Sequence, residues 1–249
     1  MRGAMAGFYI GESGIYARLL RPYRVEKCPL IVLFHGIPGD ETNLDIAYAL
    51  RDEGYAVLAP NYNGCWGSHG DYRIENIPNN VKTILDYACS KEFTAKWEID
   101  ADRIGVFGHS LGGWASISSL KINKKIKGVV AAAPVIEFEN IKIPVETLAE
   151  EFVVSLRGVT VEQIINGWKW AGREWSPLKT IKELDDRYFV LISATEDEIF
   201  YNESSVLLYN EAKKVGDKVE FWLIHSDHSF VSQREKFRQL VIECIKNYL

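Results

Sequence analysis

The 249-residue chain predicts an α/β fold: a mostly parallel, eight-stranded sheet flanked by helices. Three observations predict it. Short, β-branched apolar runs recur along the chain. Most of them are apolar almost throughout, as strands covered on both faces are. Between them lie longer stretches in which apolar residues return with helical periodicity.

In chain order, "GFYIG" (7–11) and "IYARLL" (15–20) are joined by a turn at Glu12 to Gly14 and read as an antiparallel hairpin at the sheet edge. "LIVLF" (30–34) and "AVLA" (56–59) follow as buried strands, separated by the amphipathic stretch "NLDIAYALRDEG" (43–54). A helix over "NNVKTILDYACSKEF" (79–93) leads to the strand "IGVF" (104–107). A further helix begins at Leu111, before the strand "GVVAAA" (128–133). "YFVLI" (188–192) and "EFWLI" (220–224) complete the sheet, each followed by a helix, over 203–216 and 234–249.

The alternation breaks once. No strand is evident between Ala133 and Tyr188, and a structureless loop of that length is improbable in a compact domain. The segment reads as two or three short helices. The expected organisation is therefore a core of residues 1–134 and 184–249, with a small helical cap, 135–183, inserted after the sixth strand. The cap holds Trp168, Trp170 and Trp175. These either line an acyl pocket or fasten the cap to the sheet, and the sequence leaves both readings open.

Composition removes several classes of function. The net charge of -5 is mild, and the one basic run, "KINKKIK" (121–127), is too short to track a phosphate backbone, so nucleic acid is not an expected partner. No apolar run approaches the ~20 residues that cross a bilayer, and the N-terminal stretch lacks the apolar core of a secretion signal. Cys28, Cys65, Cys89 and Cys244 show neither CxxC spacing nor a regular framework, so free thiols in a reducing, cytoplasmic setting are expected. The Asn202-Glu203-Ser204 match to a glycosylation acceptor is then read as chance. Paired CxxC and H-E-x-x-H patterns are both missing, and no cofactor is expected.

The informative motif is "RIGVFGHSLGGWAS" (103–116). Gly108-His109-Ser110-Leu111-Gly112 fits G-x-S-x-G, with a strand before it and a helix after it, as that motif requires. The chain must turn sharply there. Glycine two positions either side of the serine removes side chains that would collide with neighbouring elements. The hydroxyl of Ser110 then stands above the carboxyl end of the sheet, at the N-terminus of the next helix.

A serine hydroxyl is a weak nucleophile and needs a base. Five histidines are available. His109 adjoins the serine but points away, His35 follows a strand directly, and His69 lies in the glycine-rich loop "NGCWGSHGDY" (63–72). His225 and His228 follow the last strand, whose carboxyl end emerges at the same edge as Ser110. His228, further out, can reach back over that edge, whereas His225 is read as making local contacts. The base needs an acid to fix its tautomer. The penultimate strand ends in Glu196, Asp197 and Glu198, of which Asp197 is the choice. Glu137, after the previous strand, is the alternative. Two amides complete the expected site as an oxyanion hole: Leu111 after the nucleophile, and Ile37 in "HGIPGD" (35–40) after the first parallel strand.

The order Ser110, Asp197, His228, with "LFHGIPGD", "GHSLGGWA", "ATEDEIF" and "SDHSF" in sequence, resembles the α/β-hydrolase superfamily over nearly the whole chain. "DADRIGVFGHSLGG", with "SPL" some way on, is similar to the catalytic domains of the prolyl oligopeptidase and acylaminoacyl-peptidase group. It is also similar to dienelactone-hydrolase-like and feruloyl-esterase-like enzymes. The resemblance implies a Ser110–His228–Asp197 triad, an Ile37/Leu111 oxyanion hole and a cap at 135–183. Two departures stand out: the β-propeller that precedes the peptidase catalytic domain is missing, as is the "HGGG" of the hormone-sensitive-lipase type. The expected activity is therefore hydrolysis of carboxylic esters through an acyl-enzyme. Peptidase action of the aminopeptidase or acylaminoacyl type is the alternative, and a non-catalytic binding module on the same fold is the third reading. The expected substrate is a small ester or a short peptide, and the sequence does not specify which.

Overall fold

The computed structural model describes residues 4–39 and 43–249; Asp40, the last residue of the "HGIPGD" stretch, lies outside them. Among the described residues eight strands form one sheet: β1 (Ala4–Tyr9), β2 (Tyr16–Arg21), β3 (Cys28–Phe34), β4 (Ala56–Pro60), β5 (Ile99–His109), β6 (Gly128–Ala132), β7 (Tyr188–Ala194) and β8 (Val219–Ile224). Their spatial order is β1-β2-β4-β3-β5-β6-β7-β8. β1 and β2 pair antiparallel to each other, β2 pairs antiparallel to β4, and every later pairing is parallel. This is the α/β-hydrolase arrangement, with the hairpin at one edge and β8 at the other.

The central strands are apolar throughout because the sheet has two cores. Leu30, Val32 and Phe34 of β3 enter one, together with Leu58, Val106 and Trp114. The alternating residues Ile31 and Leu33 enter the other, with Val57, Phe107, Ile192 and Phe237. A strand covered on both faces has no polar side to show.

Helices α1 (Leu44–Asp52), α2 (Ile77–Ala88), α3 (Lys91–Trp97), α4 (Leu111–Ile122), α8 (Asn202–Lys213) and α9 (Arg234–Tyr248) flank the sheet. Between β6 and β7 the chain carries α5 (Val145–Phe152), α6 (Val161–Glu174) and α7 (Pro177–Thr180), and α6 opens on a capping box between Thr160 and Gln163. No helix of the described residues is long and apolar enough to cross a membrane.

Three boundaries differ from the sequence expectation. β1 runs over Ala4–Tyr9 and stops short of Gly11, which takes a left-handed φ of 50° and belongs to the turn. β5 begins at Ile99, not at Ile104; its first turn, "DADR", is solvent-facing and carries no apolar signal. The helix expected over 79–93 is two helices, since the Ser90 hydroxyl accepts from the Phe93 N–H at 3.1 Å and starts α3 afresh.

Candidate active site

Ser110 stands between β5 and α4 with φ 57° and ψ −122°, a backbone conformation that costs a non-glycine residue energy. The surroundings over-determine it. The Ser110 N–H donates to the Ala132 carbonyl at 2.9 Å, and the Ser110 carbonyl accepts from the Trp114 and Val135 N–H groups at 3.2 and 3.3 Å. The glycines around it have separate reasons. A Cβ on Gly112 would sit 2.1 Å from the Phe34 carbonyl oxygen at the end of β3. A Cβ on Gly108 would meet the Gly112 carbonyl and the Ser116 hydroxyl of α4. Gly112 thus lets the helix approach a neighbouring strand, whereas Gly108 clears the chain's own following helix.

Asp197 and His228 are brought together. The His228 Nδ1–H donates to Asp197 Oδ2 at 2.9 Å, and both side chains are nearly buried. Asp197 Oδ1 accepts from the Ile199 and Phe200 N–H groups, both at 2.8 Å. Burial alone would raise the Asp197 pKa. The hydrogen bond and charge of His228, with those two amides, outweigh it and leave the pKa below the ordinary carboxylate value. The carboxylate is therefore charged, holds the proton on His228 Nδ1, and leaves Nε2 as the basic nitrogen. Ser110 and His228 are 8% and 5% exposed. Among the described residues no hydrogen bond yet joins the Ser110 hydroxyl to His228; such contacts are often long in free hydrolases and tighten with substrate.

The β3–α1 loop lies beside the serine. A Cβ on Gly36 would come to 3.4 Å from Ser110 Cβ and 3.9 Å from its hydroxyl. Ile37, the expected oxyanion donor, follows directly, and the Leu111 amide opens α4. Neither amide has a partner among the described residues. His35 fixes the loop from below. Its Nδ1–H donates to the Gly36 carbonyl at 2.7 Å, and its Nε2 accepts from the Tyr62 N–H at 3.3 Å. Burial lowers its pKa to about 4, so it is a neutral strut. Trp66, half exposed at 50%, leans over this loop: its Cδ1 lies 3.2 Å from where a Gly39 Cβ would be.

The remaining candidates lie elsewhere. Glu137 Oε2 accepts from Ser204 Oγ at 2.5 Å and from Asn140 at 3.3 Å, and makes no contact with His228. His225 is exposed and pairs with Thr195 and Glu196. The His69 N–H donates to Gly14 in the hairpin turn. Trp168 is buried, only 2% exposed, with its indole N–H on the Phe138 carbonyl and its ring against Phe138. The Trp175 carbonyl accepts from the Trp114 indole at 2.8 Å while Lys121 covers its ring. Trp170 is partly buried against the same core. A surface cavity of about 530 Å³ opens at Lys27, Lys91 and Ile99, at the start of β5 and so at the opposite end of that strand from Ser110.

Several contacts that shape the site leave no signal in the sequence. Lys142 donates to the Asp197 carbonyl at 2.5 Å, and its own N–H donates to Ile199 at 2.8 Å, fastening the 140–142 stretch to the acid's loop. Glu198, passed over in favour of Asp197, accepts from the His228 backbone N–H at 3.0 Å.

The sequence model of the prolyl oligopeptidase family matches residues 42–244, most of the chain. The quorum-quenching protein AidA of Acinetobacter baumannii is 29% identical over 124 residues, 47% of this chain and 39% of that relative, so the chain spans well under two thirds of its length. An esterase of Pyrococcus furiosus superposes with a TM-score of 0.74 at 18% identity, covering 99% of this chain and 91% of that one. The acylaminoacyl peptidase of Pyrococcus horikoshii superposes with a TM-score of 0.72 at 20% identity, covering 99% of this chain and 41% of that one. At these identities the likeness is one of fold.

Proposed function

The chain belongs to the prolyl oligopeptidase family of α/β hydrolases, and within it we propose that it is a serine hydrolase of carboxylic esters. The observation that carries this reading is the buried Asp197–His228 pair at 2.9 Å, at the same sheet edge as a serine held in the strained elbow. His228 Nε2 takes the Ser110 proton as the hydroxyl oxygen attacks the ester carbonyl. The oxyanion forms against the Ile37 and Leu111 amides, each worth about 3–4 kcal/mol to the transition state. The imidazolium returns its proton to the departing alkoxide, leaving an acyl-Ser110. Water, losing its proton to His228, then releases the acid and regenerates the serine. No step calls for a metal or an organic cofactor.

The half-exposed Trp66, beside the Gly36–Gly39 loop, is our candidate for the substrate-side wall. Residues 135–183 are read as the cap. Trp175 then serves as its fastening to the sheet domain, given its bond from Trp114 of α4, while Trp168 bonds Phe138 within the cap, whose ring packs edge-on against Trp114.

Amide cleavage of the aminopeptidase or acylaminoacyl type is the second reading, favoured by the family match itself. A panel of p-nitrophenyl esters of rising chain length, run beside aminoacyl and acyl-aminoacyl anilides, separates the two. Ester turnover with kcat/KM well above that of every anilide supports the esterase. Comparable anilide turnover assigns the peptidase, and turnover unaffected by Ser110→Ala removes both.

A further inference from the structure

His228 is gripped at three atoms, and two of the grips come from the immediate neighbours of the other two triad members. Its ring Nδ1–H donates to Asp197. Its backbone N–H donates to Oε2 of Glu198, the residue after Asp197, at 3.0 Å. Its carbonyl accepts from Nε2 of His109, the residue before Ser110, at 2.8 Å. A carbonyl can only accept, so His109 carries its proton on Nε2. The His109 ring is buried, lies 4.9 Å from the His228 ring between centroids, and packs edge-on against Phe230.

We infer that His109 and Glu198 are positioning residues: they clamp the backbone of His228 on both sides of its Cα, fixing its ring between nucleophile and acid before substrate arrives. The inference rests on the reading of His228 as the base. The peptide units on either side of His228 are each held, the preceding one by its N–H and the following one by its C=O, so neither can rotate without breaking a hydrogen bond, and the His109 bond is sealed from water, where breaking it costs most. The clamp also explains why the elbow tolerates an imidazole next to the nucleophile. Burial, and then the neighbouring His228, hold the His109 pKa down to about 3, so it stays neutral and sets no second charge beside the imidazolium. Glu198 is exposed, so its charge-assisted bond is more screened and its share smaller.

The test compares His109→Phe, which keeps a ring but has no donor, with His109→Gln, whose amide nitrogen sits at the same reach along the side chain. Glu198→Ala, Glu198→Gln and His228→Ala complete the set, each assayed on one p-nitrophenyl ester with its melting temperature recorded. Loosening a catalytic group by ~1 Å typically costs about a hundredfold, so His109→Phe should lose up to about that in kcat with KM little changed. His109→Gln should recover most of it, and Glu198→Ala should lose several-fold where Glu198→Gln does not. A His109→Phe enzyme as active as His109→Gln would make the ring's packing the relevant property and overturn the clamp. Should His109→Phe fail to fold, an unchanged kcat in Glu198→Ala overturns it equally. The underlying reading fails separately: wild-type turnover in His228→Ala would remove the base, whereas an inactive His228→Ala beside fully active His109 and Glu198 variants would remove only the clamp.

Discussion

Gly112→Ala is the smallest change that should break the elbow. The added methyl would lie 2.1 Å from the Phe34 carbonyl oxygen and 2.6 Å from that of His35. Carbon–oxygen contacts settle at about 3.3 Å, so strand and helix must part by roughly 1 Å. Neither neighbour is a flexible side chain. Both are backbone at the end of β3, and the His35 carbonyl is also held by the Tyr62 hydroxyl at 3.2 Å. Overpacking of this kind costs about 3 kcal/mol or more, offset by at most ~1 kcal/mol for replacing glycine by alanine in a helix. The net loss of about 2 kcal/mol should lower Tm by roughly 4–8 °C in a domain of this size. Parting β3 from α4 also pulls the Ile37 loop away from Ser110, and a 1 Å misplacement costs about a hundredfold in kcat. Scanning calorimetry and ester kinetics on the purified variant read both effects. A Tm within 2 °C of wild type together with a kcat within twofold would refute the close-approach argument.

Two further outcomes follow from the acids. Asp197→Asn should lower kcat by about 10³- to 10⁴-fold, because an amide no longer holds the proton on His228 Nδ1, while Glu137→Gln, whose oxygen still accepts from Ser204, should leave it nearly unchanged; the reverse pattern would identify Glu137 as the acid. Stability should fall in acid through Asp227, which accepts from the Val231 and Ser232 amides at 3.0 and 3.1 Å. Burial raises its pKa, but those amides overcome it and bring it from 3.8 to about 2. A depressed carboxylate pKa stabilises the fold above the unfolded value and loses that contribution as pH falls through the folded one. The Tm of the wild type should therefore drop between pH 4 and 2 more steeply than that of Asp227→Asn, and parallel curves would contradict the assignment.

Sheet and elbow were legible in the chain because each rests on a local rule. Two-sided burial writes Leu30 to Phe34 as an unbroken apolar run, and the close approach at Gly112 writes itself as a glycine two residues past Ser110. The order of the later strands then carries Asp197 and His228 to one edge. What could not be read depends on contacts between residues far apart in sequence. Glu198 looks like any loop carboxylate until the β8–α9 loop folds over it, and Lys142 has no pattern that points to Asp197. The polar start of β5 was silent for the opposite reason, since its strand hydrogen bonds are made by backbone while its side chains face water. The tryptophans of residues 135–183 were ambiguous because an aromatic that fastens and one that lines a pocket have the same composition. The burial of Trp168 and the bond from Trp114 of α4 to Trp175 distinguish them.

In the proposed mechanism Ser110 is a nucleophile activated by His228. A fluorophosphonate probe tests it without knowledge of the substrate, since phosphonylation requires an activated serine and an oxyanion hole. One adduct is expected, located by peptide mass spectrometry on Ser110, formed rapidly in wild type, abolished in Ser110→Ala and slowed by orders of magnitude in His228→Ala. An adduct on another residue, or labelling of Ser110 at the same rate without His228, would contradict it.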